Sequence, residues 1–238
     1  MRLPQTEVIR GFKFSGKQGD ALRAWLELFP GDIDQHVQRI SAAMKRSNPR
    51  SEDLTLGEYV VFHSLFLAAT LQLQSGHALW DKPKKHCRFR KHPDFGEYMA
   101  RNRFDDIKAA LVYAVGDPSN AAEDEWWEIR PLVSDFSENR RRKVVKSEVQ
   151  VPDEAMSAFC PRSTPSADLA HLSYVERKPK PLGTEFKCVV DGGHGLMREL
   201  EIQEGKDAME KKKYRGPPEK HNPATATALR LVEGVEGW

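Results

Sequence analysis

Apolar residues recur at intervals of three and four through the first half of the chain, and at alternate positions through much of the second. In "GDIDQHVQRISAAMKR" Ile33, Val37, Ile40 and Met44 make one stripe of an amphipathic helix. Asp32 and Gln35 ahead of it have capping-box spacing, which satisfies free amides of the first turn. A second helix is predicted in "LTLGEYVVFHSLFLAATLQLQSG", starting at a Thr55/Glu58 capping box and stopping near Gly76. It is apolar nearly all round, so it is expected to be the buried centre of this half, with His63 a core histidine. "MARNRFDDIKAALVYAV" predicts a third helix with Phe104, Ile107 and Leu111 on one face, broken by Gly116, Asp117 and Pro118. "AEDEWWEIRPLVSDFSENRR" predicts another, with Pro131 in its first turns and Trp126 and Trp127 as packing anchors between the two halves of the chain.

After about residue 143 the period changes to two. "KVVKSEVQV", "TEFKCVVD" and "GLMRELEIQ" read as strands. The last two flank "DGGHG" (191–195), a turn sequence rich in residues that tolerate positive φ, and so predict a hairpin. A long proline-containing connection separates the first strand from the second, "KKKYRGPPEKHNP" reads as a loop, and "ATATALRLVEGV" as a closing helix. The fold class is α+β, a mostly helical half followed by the start of an α/β domain of three strands plus a helix. The expected division is a flexible N-terminus at 1–18, a helical domain at 19–142 and a partial second domain at 143–238.

The 238 residues allow one or two domains. Charged residues make up 30%, above the usual level of about 25%. The net charge is only +2, so the placing of charge matters more than its sum. Cys87, Cys160 and Cys188 are far apart with no CxxC pair, which argues against a disulfide framework and for reduced intracellular thiols. The N-terminus lacks the apolar core of a secretory signal. The most apolar stretch, Tyr59 to Leu73, is broken by polar residues and falls short of the roughly 20 apolar residues of a membrane span. No membrane partner and no small-molecule substrate is expected.

Three kinds of residue carry candidate chemistry. Asp153 closes the first predicted strand, a common way to deliver a metal-binding carboxylate and also a common way to end a strand; Glu154 beside it faces the other way if the strand continues. Asp191 fits a turn role, and Glu199 and Glu201 share a strand face expected to be solvated. Basic clusters at 82–92, 140–146 and 177–181 supply DNA-binding candidates: Lys84, Lys85, Arg88, Arg90, Lys91, Arg140, Arg141, Arg142, Lys178 and Lys180. His86, Cys87 and His92 do not complete the four ligands zinc takes.

Four stretches, in order, resemble the piggyBac family of DDE-type transposases. "MARNRFDDIKAALVY" (99–113) is similar to its Met-x-Arg-Asn-Arg-Phe helix, and "WWEIRPLVSDFSENRR" (126–141) to its Ile-Arg-Pro-Leu segment. "VPDEAMSAFCPR" (151–162) resembles its Asp-Glu-x-Met-x-x-Phe segment, and "YVERKPKPLGTEFKCVVD" (174–191) its Pro-x-Lys-Pro-x-x-x-Gly-x-Lys region. Each is short; their common order over roughly residues 20 to 238 makes the match specific. The resemblance implies a helical dimerisation and DNA-binding domain ahead of an RNase H-like core, a nuclear location, DNA as partner and a homodimer. It implies three Asp holding two Mg²⁺ or Mn²⁺ ions, with Asp153 in the first position. The other two positions, and a cysteine-rich zinc-binding domain, are expected beyond Trp238, so no metal is expected to bind this chain tightly. Three readings follow: a DNA-binding, catalytically incomplete protein; a non-functional remnant or truncated gene model; and a nuclease completed in trans.

Overall fold

The computed structural model describes residues 8–17, 19–72, 76–81, 94–159, 170–218 and 220–233. Among them the order of elements is α1 (Asp20–Glu27), α2 (Ile33–Ser47), α3 (Leu56–Thr70), α4 (Arg101–Ala109), α5 (Arg130–Lys143), β1 (Gln150–Ala158), β2 (Ser173–Tyr174), β3 (Leu182–Asp191), β4 (Met197–Ile202), α6 (Lys206–Glu210) and α7 (Pro223–Glu233). The fold is α+β. Two compact units form, one of Asp32–Tyr113 and one of Met1–Gly31 with Ala114–Trp238.

In the smaller unit the caps are where the sequence puts them. The Asp32 carboxylate accepts from the amides of Asp34 and Gln35, and the Thr55 hydroxyl from the amide of Glu58. Val37, Ile40 and Met44 of α2 are buried, as are Tyr59, Phe62 and Leu65 of α3 and Phe104 and Ile107 of α4. Arg103 clamps α4 to α3 through two bonds to Glu58, at 2.6 and 2.7 Å, and reaches the carbonyls of Glu52 and Asp53. α3 is not buried all round: Phe66 and Leu67 are exposed, as is Leu71 just past its end. Its core contacts run through one side, and its apolar far side carries no cover among the described residues.

In the larger unit a four-stranded antiparallel sheet is organised around β3. β1 pairs with it along one edge from Gln150↔Asp191 to Ala158↔Gly183, and β2 and β4 pair with it along the other. The β3–β4 turn is the predicted hairpin: the Gly195 amide bonds the Asp191 carbonyl, and Gly195 has a φ of 73°, which favours glycine. α5, with Pro131 in its first turn, packs against β4. Its Ser137 hydroxyl accepts from the Leu200 amide and donates to the Leu200 carbonyl, so the outer edge of β4 is covered. α7 lies against β1, β3 and β4.

The first strand differs from its expected span. Val144 forms an isolated bridge to Ile9, and β1 begins only at Gln150. Alternation in "KVVKSEVQV" is real, but its first part pairs with residues near the N-terminus and not with β3. Ile9 and Phe12 are buried as a result, so the chain from Val8 is tied down.

Candidate functional site

Asp153 does not end a strand; it sits inside β1. The ladder fixes its orientation. The Gly192 amide donates to the Val149 carbonyl at one end of β1, and the Phe159 amide to the Leu182 carbonyl at the other. Hydrogen-bonded pairs alternate in an antiparallel ladder, so Val151, Asp153, Ala155 and Ser157 turn their backbone groups toward β3. Gln150, Pro152, Glu154, Met156 and Ala158 turn theirs away, and these outward groups have no strand partner among the described residues. Pro152, which has no N–H, occupies an outward position and costs the ladder nothing.

Side chains of directly paired residues share a face, so Asp153 lies beside Cys188. The Cys188 thiol is raised by burial first and by the nearby Asp153 charge second. Glu154 lies on the opposite face, paired with Arg177, Lys178 and Lys187. A two-metal site needs several carboxylates around ions about 3.5–4 Å apart. Among the described residues no group of three His, Cys, Asp or Glu converges. Among the described residues Asp153 has no second carboxylate on its face, and these residues do not fit such a site.

The other acidic candidates have structural work. Asp191 is fully buried; its carboxylate accepts from the amides of Ser147 and Gly193 and from the Gln150 side chain. Burial alone would raise its pKa, but these hydrogen bonds outweigh it and bring the group to about 2. Glu199 and Glu201 are not on a solvated face. Glu199 is buried against Arg141 of α5, with both bonds at 2.8 Å, and Glu201 takes two bonds from Arg230 of α7. Burial raises the Glu199 pKa despite Arg141.

The basic candidates divide in three. Lys84, Lys85, Arg88, Arg90 and Lys91 lie outside the described residues. Arg140 and Arg141 make internal contacts: Arg140 lies 3.4 Å over the Phe136 ring, bonds the Leu28 carbonyl, and is pushed down to about 10 by burial. Lys178 lies 3.6 Å from Glu154. Arg142 and Lys180 are exposed, with Glu138 3.9 Å from Arg142. A network the sequence reading did not anticipate joins Arg130 to Asp124 and Glu204, with Lys212 2.7 Å from Glu204. Its members are up to 88 residues apart in sequence, beyond the reach of any local pattern.

The family model described as "Transposase IS4", a DDE-type transposase, matches residues 23–237. No curated protein matches the chain. The chain is also similar to a solved piggyBac transposase, in its synaptic complex with hairpin DNA, at 16% identity and a TM-score of 0.62. The similarity covers 90% of this chain and 43% of that one, so the chain spans less than half of the transposase it matches.

Proposed function

Because the chain belongs to the piggyBac-type DDE transposase family, we propose that it binds DNA and that its described carboxylates do not by themselves complete the family's metal-dependent cleavage and strand-transfer site. What supports the reading is Asp153: its segment resembles the one that carries the family's first carboxylate, and among the described residues it has no second carboxylate on its face. Exposed basic residues such as Arg142 and Lys180 support phosphate contact. Self-association and a nuclear location belong to the same reading, the former supported by the exposed Leu67 of α3 and Leu71 just beyond it.

The test is a fluorescence-anisotropy titration of a labelled duplex at two salt concentrations. Three to four phosphate contacts predict a loss of about 40- to 150-fold in affinity for a fourfold rise in salt. Absence of binding at low salt overturns the proposal.

A second reading, a nuclease completed in trans, is favoured by the unpaired outward backbone of β1, which has room for another strand. It predicts Mg²⁺-dependent nicking that Asp153→Asn abolishes; a chain that never nicks, alone or mixed with a related full-length transposase, rules it out.

A further inference from the structure

The far side of α3 has an order of its own. With a turn every 3.6 residues, Leu56, Val60, His63, Ser64, Leu67 and the C-cap residue Leu71 fall within about 60° of one line along the helix. The buried Tyr59, Phe62 and Leu65 lie roughly 100° or more from that line, on the core side. Leu67 is 53% exposed and Leu71 84%. Leu56, Val60 and His63 are half-buried, and Ser64 is exposed. An exposed helix face ordinarily carries charge. α3 has no Asp, Lys or Arg and a single Glu, Glu58, whose oxygens both go to Arg103. Phe66, the other exposed apolar residue of the helix, lies off the line beside Phe62.

The stripe reads the same from both ends. About the midpoint between His63 and Ser64, Leu56 and Leu71 are equidistant, and so are Val60 and Leu67. A two-fold axis through that midpoint, perpendicular to the helix, sets Leu56 against Leu71 and Val60 against Leu67 of a second copy, each contact made twice. The same operation sets His63 against Ser64. A parallel pair would instead bring His63 onto His63. Polar groups at the centre with apolar groups at both ends select one register, because a slip of one turn puts His63 or Ser64 against Val60 or Leu67. No like charges meet along the paired stripes.

We propose that this stripe is the contact surface of a homodimer in which α3 packs antiparallel against α3 of a second copy. The residues from Leu56 to Leu71 span about 24 Å. One helix pair of that length is at the small end of specific interfaces, so the dimer forms and dissociates with concentration. The surface and its orientation rest on the self-association reading above and not on DNA binding.

The test follows the whole chain by sedimentation equilibrium over a range of concentrations. Wild type is expected to dimerise reversibly. Leu67→Glu is expected to weaken the dimer by about 100-fold, since each pair loses two leucine contacts and gains two buried charges. Leu71→Glu, at a position 84% exposed, leaves the core untouched and carries the test if Leu67→Glu fails to fold. Orientation is read by mixing Val60→Cys and Leu67→Cys chains, oxidising with diamide and mapping the disulfides by mass spectrometry. A link from position 60 of one chain to position 67 of the other is expected, with none between two positions 67. A dimer as strong in both glutamate variants as in wild type overturns the α3 surface and leaves self-association standing. A link between two positions 67 overturns the antiparallel order. A chain that stays monomeric at every concentration overturns self-association and the surface with it, while the duplex titration still decides DNA binding.

Discussion

Asp191→Asn tests whether the carboxylate at the β3–β4 turn holds the entry to β1, and so the position of Asp153. The group is fully buried, and its hydrogen bonds from Ser147, Gln150 and Gly193 hold it at about 2 against 3.8 for the free side chain. One pKa unit corresponds to about 1.4 kcal/mol, so the gap represents roughly 2.5 kcal/mol of stability. The folded pKa is depressed, so the unfolded chain binds the proton first as pH falls. The stabilisation is complete above about pH 4 and is lost as pH drops toward about 2. Urea unfolding of both proteins, followed by tryptophan fluorescence, to which Trp25, Trp126 and Trp127 of the same unit contribute, is the assay. Asp191→Asn is expected to be about 2.5 kcal/mol less stable at pH 7, with the difference shrinking through the acid window. A difference below about 0.5 kcal/mol at pH 7, or one that stays constant from pH 4 to pH 2, would mean that the ionised Asp191 does not hold the turn.

Arg141→Met leaves the buried Glu199 without its partner and is expected to cost about 2–3 kcal/mol, somewhat below the usual figure for a broken buried pair because Arg141 is half exposed. Adding Glu199→Met should recover most of that loss, and urea midpoints of the two variants check it. His36 is buried beside Tyr59, 3.1 Å away, and burial holds its pKa down at about 4, with the charges of Arg39 and His63 adding to the effect. Its folded state resists protonation, so the helical unit should lose about 3 kcal/mol as pH falls from 6.5 to about 4, with an NMR titration of the His36 ring locating the folded pKa. Arg103→Ala removes the two-bond clamp on Glu58 and should lower the stability of the same unit by about 1–2 kcal/mol, read by thermal unfolding.

What the sequence made legible was local. The starts of α2 and α3 follow from Asp32 and Thr55, whose cap bonds reach only two or three residues. The hairpin at 191–197 follows from its own turn residues. What stayed hidden depended on distant partners. Alternation through Val144 marks an extended segment but cannot say that it pairs with Ile9 instead of β3. The faces of β4 could be assigned, but not the arrival of Arg141 and Arg230, which turned an expected solvated face into paired carboxylates. The exposed side of α3 went unseen for the same reason, since an all-apolar helix does not reveal which neighbours cover it. Asp153 was found through a motif, and its place inside β1 comes from a register that composition does not encode. The register slip of β4 between Val189↔Glu199 and Val190↔Met197 has no sequence signature at all.

The proposed function is DNA binding, with Asp153 in place and no second carboxylate beside it among the described residues. A single gel tests it: an end-labelled duplex incubated at low salt with the chain and Mg²⁺, run native for retardation and denaturing for strand breaks. Retardation with intact strands is expected. Strand breaks from the chain alone that vanish in Asp153→Asn, or a duplex that is never retarded, would contradict it.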